Sequence, residues 1–324
     1  MGFHVRRKIV RIAAALALPA IVAGQSATGA GDRIVLSTGV RCHTSPDGPV
    51  SATRLHAGDI FSKPAVKFGP PIWYFDANLG EFGSRGCWIP GEATAAFDRL
   101  HPEAGYAAVV NHLLSRTDTV PFAEYVEVQN ILEAVPSPAG DSLSMIDRYP
   151  LLRFRSLQLI DRALPFLRWR RNPDAPLTEA WLAAHKPLLE YGEPSAIWQV
   201  TARSYWNIFD KHPNEPWSEE LAWVAAQYVG DGDECDADCF LRVIRSGAEQ
   251  YWIRLPHGAH VPQALARADT LAASALRDGA PEGAPTLPAI ESVRKSLSAV
   301  TAPGKVHLLS LLDELQQKVA PRRP

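Results

Sequence analysis

The chain has 324 residues, 46% of them hydrophobic, with 33 basic and 35 acidic side chains and four cysteines. That is enough apolar material for a substantial core, and the length suggests two domains or so. Beyond Arg11 no block of lysine or arginine remains to neutralise a row of phosphates, which argues against nucleic acid as a partner.

Arg6, Arg7, Lys8 and Arg11 give a basic start, and no acidic residue precedes Asp32. An apolar run from Ile12 to Ala23 follows, through Leu16, Leu18, Ile21 and Val22. A run of this length matches a signal-peptide core and is too short for a membrane span. It has no polar face, so it does not fit an amphipathic helix. Residues 1–30 are therefore expected to form a signal peptide, cleaved after Ala23 or Ala30. Arg6-Arg7 with Lys8, Ile9, Val10 and Arg11 resembles a twin-arginine signal; ordinary secretory signals also carry paired arginines, so both routes stand. No cysteine precedes Cys42, which excludes a lipid-anchored N-terminal cysteine. Removing the four basic residues of this segment from 33 leaves 29 against 35 acidic ones, a mature net charge near −6. No later stretch is long and apolar enough to cross a bilayer, so a soluble, periplasmic or secreted protein is expected. In that setting four cysteines most economically form two disulfides, and proximity favours Cys42 with Cys87 and Cys235 with Cys239. A zinc site or a catalytic cysteine is the rival reading.

Residues 31–98 read as short strands. Ile34-Val35-Leu36 and Val40-Arg41-Cys42 precede a turn at Ser45-Pro46-Asp47-Gly48-Pro49. Leu55, Ile60 and Phe61 flank a second turn at Ala57-Gly58-Asp59. Ile72-Trp73-Tyr74-Phe75 then leads into a glycine-rich hairpin that returns through Cys87-Trp88-Ile89. Strands at this spacing predict a small closed barrel or sandwich.

These pieces, Val40-Arg41, Arg54-Leu55-His56-Ala57-Gly58-Asp59, Trp73-Tyr74 and Gly86-Cys87-Trp88-Ile89, resemble in order the motifs of a bacterial SH3-like domain. The insert from Lys63 to Pro71, the closing Ile89-Pro90-Gly91 and the cysteine pair depart from that pattern. The resemblance implies a small all-β barrel that binds wall peptides or proteins, with Trp73, Tyr74 and Trp88 as ligand-binding candidates. The stronger expectation for Trp88 is the core, and alternation lets only one of Trp73 and Tyr74 face inward.

A helical domain is expected over residues 104–277. Val109, Val110, Leu113 and Leu114 share one helical face, and Phe122, Tyr125, Val126, Gln129 and Leu132 continue at the same spacing behind Pro121. Arg148, Arg153, Arg155 and Arg162 form a basic cluster, read either as an anion patch or as a solvated face paired with Asp147 and Asp161. An internal repeat follows. Residues 166–179 match 206–219 at a constant offset of 40, Pro173 on Pro213 and Pro176 on Pro216. Trp181 then answers Trp223 at an offset of 42, and Tyr251-Trp252 answers Tyr205-Trp206 at 46. Repeats near 163–185, 203–227 and 249–268 resemble a tetratricopeptide-like stack of helix pairs. Residues 278–288 read as a linker or loop, and 289–319 as C-terminal helices.

The chain carries no Gly-x-Ser-x-Gly elbow, phosphate loop, His-Glu-x-x-His pair or Rossmann fingerprint. His257 and His260 have metal-like spacing without a third ligand. In the acidic loop Asp231–Asp238, Cys235 occupies a calcium-ligand position. No catalytic residue, metal site or cofactor is expected. The reading is an exported, non-catalytic interaction protein of the cell envelope, its partner an envelope protein or peptidoglycan. The alternatives are a wall-modifying hydrolase using acids such as Glu190 and Glu193 or Glu124 and Glu127, and a structural subunit of an envelope complex.

Overall fold

The computed structural model describes residues 31–46, 48–67, 70–76, 86–117, 120–134, 143–168, 175–192, 197–227, 237–277 and 286–319. The signal segment expected at residues 1–30 lies outside them. Eight short strands come first: β1 Arg33–Val35, β2 Val40–His43, β3 Val50–Leu55, β4 Ile60–Phe61, β5 Ala65–Lys67, β6 Trp73–Asp76, β7 Cys87–Pro90 and β8 Thr94–Ala96. They form two antiparallel sheets, one in the order β3-β2-β7-β6-β5 and the other β4-β1-β8. The expected closed barrel is corrected here. Among the described residues β3 and β5 are edges of one sheet, and β4 and β8 of the other.

The reason lies in β1, which is covered by packing on both faces. Val35 joins Cys42, Leu55, Phe61, Cys87 and Ile89 in a core shared by the two sheets. Ile34, one residue earlier and so on the opposite face, belongs to the core of the helical part together with Ala57 and Phe97. Helices cover the face of β1 that points away from the strand core. The Cys42–Cys87 disulfide sits in that core, linking β2 to β7.

The helical part begins with α1 Glu103–Ser115 and α2 Phe122–Ala134, on which the β region rests. Gly105 lies where a Cβ would stand 2.5 Å from Phe97 Cδ2, so only glycine lets this helix meet the β region so closely. Glu127 ties the same surfaces together: Thr38 Oγ donates to it at 2.8 Å, and His56 Nδ1 lies 2.7 Å away. Helices α3 Met145–Arg148 and α4 Pro150–Ala163 follow, α4 packing against α1 and α2. Pro150 occupies the first position of α4, where a missing N–H costs nothing.

Next come α5 Ala175–His185, a two-stranded hairpin of β9 Leu189–Gly192 with β10 Ile197–Val200, α6 Ala202–Phe209 and α7 Ser218–Ala226. This hairpin interrupts the helical region, and the sequence reading missed it. Helices α8 Ala237–Ser246, α9 Ala248–Arg254, α10 Val261–Arg277, α11 Thr286–Ser296 and α12 Lys305–Val319 complete the chain, with α10 packed on α8, α9 and α12. No described helix is long and apolar enough to cross a membrane.

Two helix–turn–helix segments each bury a Tyr-Trp pair. In α6-turn-α7, Tyr205 and Trp206 are buried and the Trp206 indole N–H donates to the Ser246 carbonyl at 2.9 Å. In α9-turn-α10, Tyr251 and Trp252 are buried and the Trp252 N–H donates to Ser296 Oγ at 2.9 Å. Each tryptophan thus anchors its unit to the end of a later helix. Pro213 and Pro216 fall in the first turn and Pro256 in the second, outside the helices. The paired tryptophans Trp181 and Trp223 are less alike. Trp181 meets Phe122 of α2 edge-on, whereas Trp223 is half-buried and stacks on His260. Pro173 lies outside the described residues.

Candidate functional site

The aromatic residues singled out in the β region separate by strand alternation. Register pairs Tyr74 with Ile89 and Phe75 with Trp88. Tyr74 therefore shares the face of Cys87 and Ile89, packing against the strand core with the Arg33 guanidinium 4.5 Å from its ring centre. Trp73, Phe75 and Trp88 lie on the opposite face beside His43. Trp73 meets His43 edge-on at 5.0 Å, and Phe75 and Trp88 are 5.0 Å apart. Trp88, expected in the core, is half-buried on this outer aromatic face because Cys87 and Ile89 on either side of it take the inward positions. Trp73 and Trp88 thus share one face, on which Trp73 is itself buried at 8% exposure and Trp88 half-buried, and Tyr74 lies on the other face.

The expected basic cluster is dispersed. Arg153 pairs with Asp147 at 3.9 Å, as the sequence suggests. Arg155 instead reaches α7, donating to both carboxylate oxygens of Glu220 at 2.5 and 2.9 Å. His257 is exposed, and His260 is engaged with the Trp223 ring. Glu124 is buried against Arg116 at 2.7 Å, and Glu127 holds the β region, so the acid pair 124/127 is committed to structure. Cys239 is disulfide-bonded. Its expected partner Cys235, the rest of the acidic loop through Asp236, and Glu193 lie outside the described residues.

A site that the sequence reading missed lies where α6, α8 and α9 meet, with β9 at its rim. It is a groove of about 470 Å³. Each helix contributes one stripe at helical spacing: Arg203, Trp206, Asn207 and Asp210 from α6 and its end, Arg242, Arg245 and Ser246 from α8, and Gln250 and Arg254 from α9. Glu190 of β9 and Thr201 complete the wall. Thr201 starts α6, its hydroxyl oxygen accepting the Ser204 N–H at 3.3 Å, and this cap fixes where Arg203 emerges.

Two of the four arginines are held from within. Arg254 lies over the Trp206 ring at 4.8 Å and donates to both oxygens of Asp210 at 2.8 and 3.1 Å, a bidentate fork. It also donates to Gln250. Arg245 stands 3.7 Å from Glu249, a buried carboxylate whose pKa burial pushes up. Arg203 and Arg242 are exposed, and neither makes an ion pair among the described residues. Among the described residues the groove therefore carries four guanidinium groups against two lining carboxylates, on a chain whose acidic residues outnumber its basic ones. Such a surface attracts and orients an anion.

No known family model, curated protein or solved structure matches this chain.

Proposed function

We propose that this is an exported, non-catalytic interaction protein of the cell envelope, whose helical part takes an anionic partner in the groove between α6, α8 and α9. The observation that carries the reading is the pair Arg203 and Arg242. Two guanidinium arms without a counter-ion among the described residues stand beside two arginines fixed by Asp210 and Glu249. An exposed guanidinium that is not forked to an internal carboxylate keeps its donors available for a carboxylate or phosphate from outside. We read α6–α7 and α9–α10 as copies of one tetratricopeptide-like unit, supported by the matching roles of Trp206 and Trp252.

The β region we read as an SH3-like module. Its four motif pieces fall in order on β2, the β3–β4 turn, β6 and β7, and Gly58 takes a φ of 86° at that turn. Trp88, half-buried beside the buried Trp73, would be its contact residue towards wall material or a protein. The Cys42–Cys87 bridge supports an oxidising compartment.

Retention of the mature chain on purified peptidoglycan and on immobilised envelope extract tests the proposal. The expected result is binding that weakens at high salt and falls at least tenfold in R203Q/R242Q. Binding indifferent to both salt and the double variant would overturn the groove as the working surface.

A further inference from the structure

We infer that the outer face of the five-stranded sheet, at its β3 edge, docks an extended acidic segment of a partner protein. This rests on the reading of the β region as a contact module and names the chemistry of what it contacts. Register places Arg41 of β2 directly opposite Arg54 of β3. Both side chains are exposed, and neither makes a hydrogen bond or an ion pair among the described residues. Cys42 and Leu55, their chain neighbours, point into the strand core, so both arginines stand on the outer face. Like charges directly opposite on a sheet repel. A carboxylate from outside that meets both guanidinium groups turns that repulsion into two charge-assisted contacts.

Aromatic rings adjoin the charges. His43 lies two residues beyond Arg41 on the same face, roughly 7 Å along the strand, and pairs in register with Trp88. Trp88 and Phe75 are half-buried with ring centres 5.0 Å apart, so part of each ring stays open. Two charges beside a partly open apolar area match a segment that carries both acidic and apolar side chains. A nucleic acid or an anionic membrane fits less well, because the chain has 35 acidic against 33 basic residues and no net positive charge to hold a row of phosphates. The backbone points to a peptide. β3, Val50–Leu55, is paired on one side only, by β2, and contains no proline or glycine. Val50, Ala52 and Arg54 are exposed along it. The β2–β3 register is regular through Val40–Leu55 and Arg41–Arg54 and shifts beyond, so the added strand is expected at the Leu55 end. The open backbone groups of such an edge accept an extended peptide, with side-chain pairing setting its specificity.

Binding of the full chain to an immobilised peptide array tests the inference. Its peptides alternate Glu with Val, Leu, Phe or Trp, and a matched set carries Gln in place of Glu. The Glu peptides are expected to bind, with affinity about tenfold lower or worse in the Gln set, in R41Q/R54Q and in W88A, and unchanged in R203Q/R242Q. Because both arginines are exposed and repel, R41Q/R54Q should unfold at the same urea concentration as the native chain or a higher one. R54E, which sets an acid opposite Arg41, should abolish binding and raise the urea midpoint. Retention on purified peptidoglycan is measured beside the array. If the Glu peptides fail to bind, or bind R41Q/R54Q as well as the native chain, while W88A lowers retention on peptidoglycan, the acidic segment is wrong and the contact module stands. If neither W88A nor R41Q/R54Q changes either measurement, both readings fall.

Discussion

Among single residues, burial and partners set what each aromatic is worth. Trp252 is fully buried, donates its indole N–H to Ser296 and lies at the junction of α9 with α11. Trp252→Ala should cost about 3–5 kcal/mol, as large aromatic deletions in cores do. Trp223 is half-buried and has the His260 ring as a stacked partner at 4.7 Å, so Trp223→Ala should cost roughly 1–2 kcal/mol. Denaturant midpoints of the two variants check the ranking; equal losses would mean that the half-exposed ring supports more than its visible contacts. His185 makes a different argument. Its Nδ1 lies 2.8 Å from the Trp181 carbonyl oxygen and its Nε2 3.2 Å from Glu133 Oε1. A neutral imidazole donates through one nitrogen only, so the charged form fits this site. Burial is the largest single influence and opposes the charge, but Glu133 and the Trp181 carbonyl together raise the His185 pKa above its ordinary value. The hydrogen bond from His185 leads in lowering Glu133, against the desolvation that would raise it. The sign follows from linkage. The His185 contribution is full below the ordinary value of 6.5 and fades as pH rises through the raised folded value. The Glu133 contribution is present above 4.5 and fades as pH falls through the lowered one. Urea unfolding of the native chain and H185Q should therefore differ most between about pH 4.5 and 6.5 and converge towards pH 9. A difference that stays constant over that range would show that the imidazolium is not formed.

At the scale of elements, legibility followed local chemistry. The strands around Val40-Arg41, Trp73-Tyr74 and Cys87-Ile89 were readable because alternation and turn residues are local signals, and the Cys42–Cys87 pair fits the same logic. The helices that carry Tyr205-Trp206 and Tyr251-Trp252 were readable because prolines mark the turns that follow them. The β9–β10 hairpin was not, since Leu189–Gly192 and Ile197–Val200 are four residues each and offer little period to count. The groove escaped for another reason. Its arginines are spread over α6, α8 and α9, none next to another, and only folding brings the stripes to one cleft. The run Arg148 to Arg162, which is dense in sequence, instead spends its charges on Asp147 and on Glu220 of a neighbouring helix. Density along the chain is a poor guide to charge in space. An arginine at i, i+3 or i+4 from a polar partner on several separate helices was the signal available, and it needed the helix packing to be used.

For the whole molecule, the question is how far the β region stands alone. Sequence reading placed a boundary near residue 98, with residues 31–98 a separate domain. The core crosses that boundary: Ile34, Ala57 and Phe97 pack with Tyr106, Val109 and Val110 of α1, and Gly58 lies against Ile131 of α2. Polar ties run the same way through Glu127 and through the Arg99–Asp32 pair, whose contact lowers the Asp32 pKa. Cutting after residue 98 would expose Ile34 and Phe97, a loss of about 1.5–3 kcal/mol for each side chain. The Cys42–Cys87 bridge closes a span of 45 residues and is worth about 2–4 kcal/mol. The two quantities are of the same size, and together they consume most of what a small β module can hold in reserve. A fragment of residues 32–98 should therefore keep its strands while oxidised and lose them on adding dithiothreitol. In the full chain, where α1 and α2 cover Ile34 and Phe97, the same strands should survive reduction. Circular dichroism of the fragment and amide exchange of the β1, β2 and β7 residues in both forms, with and without reductant, separate the cases. A fragment unfolded even when oxidised would mean that the helices, more than the bridge, hold the β region together. A fragment as resistant to reduction as the full chain would mean that the shared core contributes little, and the two parts would then be independent domains in contact.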